Sequence, residues 1–112
     1  MQVKLKFTIE QVFSINKLLN EVYKTSFNMF SPEEKVQISI GATLSDMFEK
    51  RKRKLYKELD LLNSTKKISL TFKYHEAWAL KEILLNKISL LDTDFHRLNA
   101  QTSINLLDQK VR

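Results

Sequence analysis

The chain has 112 residues, 43% of them hydrophobic, with one glycine, one proline, no cysteine and a formal charge of +6. That length holds one domain with a single core, 1–112, and so few turn-forming residues exclude an all-β sandwich or barrel built from many tight hairpins. The lack of cysteine removes disulfides, thiolate metal sites and thiol nucleophiles together, which fits a reducing compartment and makes the cytoplasm the expected location.

The opening segment, Val3-Lys4-Leu5-Lys6-Phe7-Thr8, alternates apolar and polar residues with the period of a half-buried strand, not with the apolar block of a signal peptide. Val3, Leu5 and Phe7 are its inward side. From Thr8 the period lengthens: Ile9, Val12, Phe13, Ile15, Leu18, Leu19 and Val22 fall mainly on one helical face, and Thr8 with Gln11 has capping-box spacing. A helix over about 9–24 follows.

Residues 25–31 carry no clean period and read as a connection. Ser31-Pro32-Glu33-Glu34 then combines an N-cap serine, a proline where its missing N–H costs nothing, and acids at the positive helix end. A stripe of Val36, Ile40, Leu44, Met47, Phe48, Leu55, Leu59 and Leu62 predicts one long helix to about residue 62, with a possible bend at Gly41. The alternating Val36-Gln37-Ile38-Ser39-Ile40 also fits a strand ended by Gly41. The cap at Ser31 and the unbroken stripe favour helix.

After the polar connection Asn63-Ser64-Thr65-Lys66-Lys67, the opening pattern returns in Ile68-Ser69-Leu70-Thr71-Phe72-Lys73-Tyr74. Trp78, Leu80, Ile83, Leu84, Ile88 and Leu91 mark a third helix, and a shorter last one runs from about Asp94 to Gln109. A shift of about 65 residues brings Leu5 onto Leu70, Phe7 onto Phe72, Phe13 onto Trp78, Ile15 onto Leu80 and Leu19 onto Leu84, giving a weak internal repeat with halves of about 1–62 and 67–112. Two lone strands need a helical cover. The expected fold is therefore α+β and predominantly helical: two strand-helix-helix units, with an antiparallel two-stranded ribbon under four helices.

No run approaches the roughly 20 apolar residues of a membrane span, so no membrane partner is expected. A phosphate-cradling loop needs several glycines, and there is one. The two histidines, His75 and His96, sit in no nucleophile–base pattern. Asp92, Thr93 and Asp94 suit the cap of the last helix better than a metal site, and Glu76 suits the start of the third. No catalytic residue, cofactor or metal is assigned.

Two basic clusters remain. Lys50, Arg51, Lys52, Arg53 and Lys54 encircle the long helix; Glu49 with Arg53 and Lys54 with Glu58 have the spacing of a solvated helix, but Arg51 falls on the apolar stripe and must leave the core or meet a partner. On the outward side of the ribbon, Lys4, Lys6 and Thr8 lie beside Lys67, Ser69, Thr71 and Lys73, the side chains of a ribbon that contacts bases and phosphates. Strand-helix-helix taken twice around one ribbon resembles the ribbon-helix-helix fold as a single-chain pseudo-dimer, and Gly41-Ala42-Thr43-Leu44-Ser45 is similar to the motif that opens its second helix. Here that motif falls inside a helix begun at Ser31, the first connection is longer, and the second half has no Gly-x-Thr counterpart.

The leading expectation is a small non-enzymatic protein that binds a protein partner or its own copy, with Phe27, Met29 and Phe30 as candidate interface. The alternative is a nucleic-acid-binding module using both basic clusters.

Overall fold

A computed structural model describes residues 1–58 and 67–111. Its elements follow the order β1 (Gln2–Phe7), α1 (Ile9–Lys24), α2 (Pro32–Glu58), β2 (Ile68–Lys73), α3 (Tyr74–Lys87) and α4 (Asp94–Lys110), with short 3-10 turns at Phe27–Met29 and Ile88–Leu90. The fold is α+β and predominantly helical, and its two strands pair antiparallel.

The ribbon's register is set by burial. Val3 faces Phe72, Leu5 faces Leu70 and Phe7 faces Ile68, and all six point into the core, whereas Gln2–Lys73, Lys4–Thr71 and Lys6–Ser69 alternate outward. A slip of β1 by one residue would turn Lys4 and Lys6 inward and Val3, Leu5 and Phe7 outward, so the hydrophobic period fixes the pairing. The Tyr74 N–H donates to the Met1 carbonyl at 3.2 Å and closes one end.

Each helix begins where its cap residue dictates. Thr8 Oγ1 accepts the Gln11 N–H at 3.0 Å and Gln11 Oε1 accepts the Thr8 N–H at 2.8 Å, a complete capping box for α1. Ser31 and Glu34 repeat it on α2, at 3.2 and 2.9 Å. On α3 the cap is Lys73, whose ammonium cannot accept a hydrogen bond, so only the return half forms, Glu76 Oε1 taking the Lys73 N–H at 2.8 Å. Thr93 caps α4 through the His96 N–H at 3.2 Å.

The core is one cluster drawn from both strands and all four helices. Phe7 meets Phe72 edge-on at 6.2 Å, and Phe48 of α2 stacks over Phe72 at 6.3 Å, tying the long helix to the ribbon. Besides their chain neighbours, α1 packs on α4 and α2 on α3.

Residues 36–40 are helix, the favoured of the two readings of that segment. Two sequence expectations are corrected. The inward face of α2 is Ile38, Gly41, Leu44, Phe48 and Leu55, while Val36 is 55% exposed: the helix is rotated so that its glycine faces the neighbouring helices. Tyr74 opens α3 instead of closing the strand. Leu59, Leu62, the expected helix end near 62 and the connection 63–66 lie outside the described residues.

Gly41 has a packing reason. A Cβ there would stand 2.8 Å from Ile83 Cδ1 and 3.1 Å from Tyr23 Oη, so glycine lets α1, α2 and α3 approach closely. No described helix is long and apolar enough to cross a membrane.

Candidate functional site

Alternation along β1 and β2 leaves one face of the ribbon uncovered, carrying Gln2, Lys4, Lys6, Ser69, Thr71 and Lys73, all exposed. In the register, each row pairs a lysine with a neutral hydrogen-bonding side chain, Lys73 with Gln2, Lys4 with Thr71 and Lys6 with Ser69. No lysines stand directly opposite, so the face gathers positive charge without the cross-strand repulsion that would splay the strands. It carries no carboxylate, and the ion pairs among the described residues involve none of its lysines.

Of the sequence-predicted residues, Thr8 leaves this face: its hydroxyl is occupied as the cap of α1. Lys67 stays exposed just ahead of β2 and lines a groove of about 200 Å³ with Ser69, Ile68 and, from α2, Arg51, Lys54, Leu55 and Glu58. The fold thus joins the two basic clusters at the start of β2. Leu55 is buried, and it holds this half of α2 against the ribbon. A second hollow of about 280 Å³ shares Arg51 and Lys54 and is lined also by Met47 and Lys50.

The remaining members of the run are engaged along their own helix. Arg53 Nε lies 3.5 Å from Glu49 Oε1, and Lys52 Nζ sits 5.7 Å over the Tyr56 ring. Glu49 is itself held by the Asn16 amide at 2.9 Å; that bond, with weaker contributions from Asn20, Lys52 and Arg53, lowers its carboxyl below the usual range.

The aromatic candidates separate. Phe30 is 7% exposed and plugs the core, so it is corrected from interface to packing residue, with Lys87 Nζ 5.1 Å over its ring. Phe27 and Met29 are 47% and 77% exposed. Phe27 borders an apolar hollow of about 520 Å³ between α1 and α2, lined by Val22, Tyr23, Phe30, Ile38 and Ala42 among others. Tyr23 donates to the Ile38 carbonyl at 2.6 Å, and burial pushes its hydroxyl up to about 12, so it stays a donor at neutral pH.

Sequence reasoning missed a polar seam beneath the helices. Ser14 Oγ and His96 Nδ1 lie 2.8 Å apart, Gln11 donates to Thr102 at 2.9 Å, and Lys81 Nζ donates to the Val111 carbonyl at 2.9 Å. Ser14 is fully buried, which leaves no room for a substrate at its hydroxyl, and among the described residues no buried side-chain polar atom lacks a partner. Polar residues at apolar-period positions were the available signal. Around the last helix start, Asp94 pairs with Arg97 at 2.6 Å, and no group of three potential metal ligands forms among the described residues.

Comparison of the chain with protein-family models, with curated proteins and with solved structures returns no match.

Proposed function

We propose that this chain is a non-enzymatic binding module that takes nucleic acid on the outer face of its ribbon and the adjoining basic side of α2. The observation that carries the reading is the union of two sequence-distant clusters. Lys4, Lys6 and Lys73 on an acid-free strand face run on, through Lys67, to Arg51 and Lys54. A continuous cationic surface of this kind gains affinity by releasing counterions from phosphates. The serine, threonine and glutamine between the lysines add donors and acceptors suited to base edges or sugar-phosphate oxygens. Such a partner fits the proposed cytoplasmic location.

Electrophoretic mobility shift with a short duplex and a single strand at low salt tests it. The wild-type chain is expected to retard nucleic acid, and the Lys4, Lys6, Lys67 and Lys73 to alanine variant to lose most of that retardation. Absence of any shift at low salt, or equal binding by the folded variant, would sink the reading.

A separate observation favours a second reading, self-association or a protein partner. Phe27 and Met29 stand out beside the apolar hollow between α1 and α2, where two exposed apolar side chains on one turn offer anchors of the kind that dominate interfaces. Light scattering over a concentration series should then show a dimer that Phe27→Ser with Met29→Ser returns to monomer. A wild-type chain monomeric throughout removes the homo-oligomer.

The halves 1–62 and 67–112 are read here as two versions of one strand-helix-helix unit. Support comes from the register, which pairs Leu5 with Leu70, the residues that the 65-residue shift also equates. The caps add to it, since that shift carries Thr8 with Gln11 onto Lys73 with Glu76.

A further inference from the structure

Arg51 occupies a place where the packing of α2 calls for an apolar side chain. The inward residues Leu44, Phe48 and Leu55 are buried, and Arg51 lies between Phe48 and Leu55 on the same side, half-buried. A guanidinium at the margin of a core loses hydration, and it is tolerated where it can meet an anion. Its surroundings supply the rest of a receptor. Lys54 stands three residues on, Lys67 lies just ahead of β2 and Ser69 within it, and among the described residues lining the groove of about 200 Å³ three cations and a hydroxyl meet one carboxylate, that of Glu58. Arg51 and Lys54 also line a second hollow together with Lys50, so a further cation belongs to the same stretch of α2.

We infer that the groove between α2 and β2 is a seat for one phosphate group, held by Arg51, Lys54 and Lys67, with Ser69 donating from its hydroxyl. This deepens the nucleic-acid reading, because it separates a discrete anion site from the open lysine face of the ribbon. Planar guanidinium donors and two flexible ammonium groups suit a tetrahedral oxyanion, and a concave wall excludes part of the water that would screen the charges. Both a backbone phosphodiester and a terminal phosphate present that chemistry.

The test is a titration of the full chain with inorganic phosphate at constant ionic strength, followed by amide chemical shifts. Saturable shifts confined to Arg51, Lys54, Lys67, Ser69 and their neighbours are expected. Arg51→Gln and Lys67→Gln should each weaken binding about tenfold, the loss of one charge-assisted contact, while Lys17→Gln, at an exposed α1 residue that does not line the groove, leaves it unchanged. Unsaturating shifts spread over all surface lysines, or no change in affinity in both groove variants with native spectra, would overturn the seat. Oligonucleotides with a 5′-phosphate or a 5′-hydroxyl identify the source: tighter binding of the phosphorylated end assigns a terminal group, and equal binding a backbone group. Phosphate binding without oligonucleotide binding leaves the seat standing and removes the nucleic-acid reading; the reverse removes the seat alone.

Discussion

Glu34 shows how much one side chain can hold together. Its Oε1 accepts the Ser31 N–H while its Oε2 meets Lys87 at 2.5 Å, so it caps α2 and clamps that helix start to the end of α3. The Lys87 hydrogen bond, then the Ser31 backbone, bring its carboxyl down to about 2, from an ordinary value of 4.5. A depressed folded value means that the contribution is complete above the unfolded value and is lost as pH falls from about 4.5 towards about 2. Urea unfolding between pH 6 and pH 2.5 should therefore show the wild type losing stability on acidification faster than Glu34→Gln. At pH 6 the variant should already be less stable by up to about 1 kcal/mol, the worth of the lost Lys87 ion pair, since a glutamine can still accept the Ser31 N–H as Gln11 accepts that of Thr8. Parallel pH profiles for the two proteins would contradict this account of Glu34. Gly41 makes the opposite kind of contribution, by the side chain it does not have: the space for a Cβ is taken by Ile83 and Tyr23.

The elements were legible in the sequence wherever a local rule decided them. Period-2 alternation gave β1 and β2 with their inward residues, and Thr8, Ser31 and the stretch Asp92 to Asp94 marked three helix starts that the structure has. The phase of α2 was not legible, because a hydrophobic stripe scores Val36 and Ile40 but gives no weight to a glycine. Its rotation is decided by the close approach of α1 and α3 at Gly41, a tertiary demand that overrides the count of apolar side chains. The lysine face of the ribbon could be read from alternation alone. Its union with Arg51 and Lys54 could not, since that depends on Phe48 and Leu55 docking the second half of α2 beside β2. Phe30 was misjudged for a related reason: an irregular connection has no period to say which of its aromatics turns inward.

At the scale of the molecule, the fold divides its surfaces by charge and polarity. Helices cover one face of the ribbon and bury its apolar residues; the other face keeps its lysines in water and continues onto α2, while the exposed phenylalanine and methionine stand at the turn between α1 and α2. The central claim is that the cationic surface binds phosphates as a unit. Fluorescence anisotropy of a labelled duplex over a salt series tests it most directly, because the slope of log affinity against log salt counts the phosphates neutralised. If Lys4, Lys6, Lys67, Lys73, Arg51 and Lys54 all take part, the wild-type slope is about −5, and replacing the four ribbon-side lysines brings it to about −2. A wild-type slope near zero, or one that the four replacements leave unchanged, would contradict the claim.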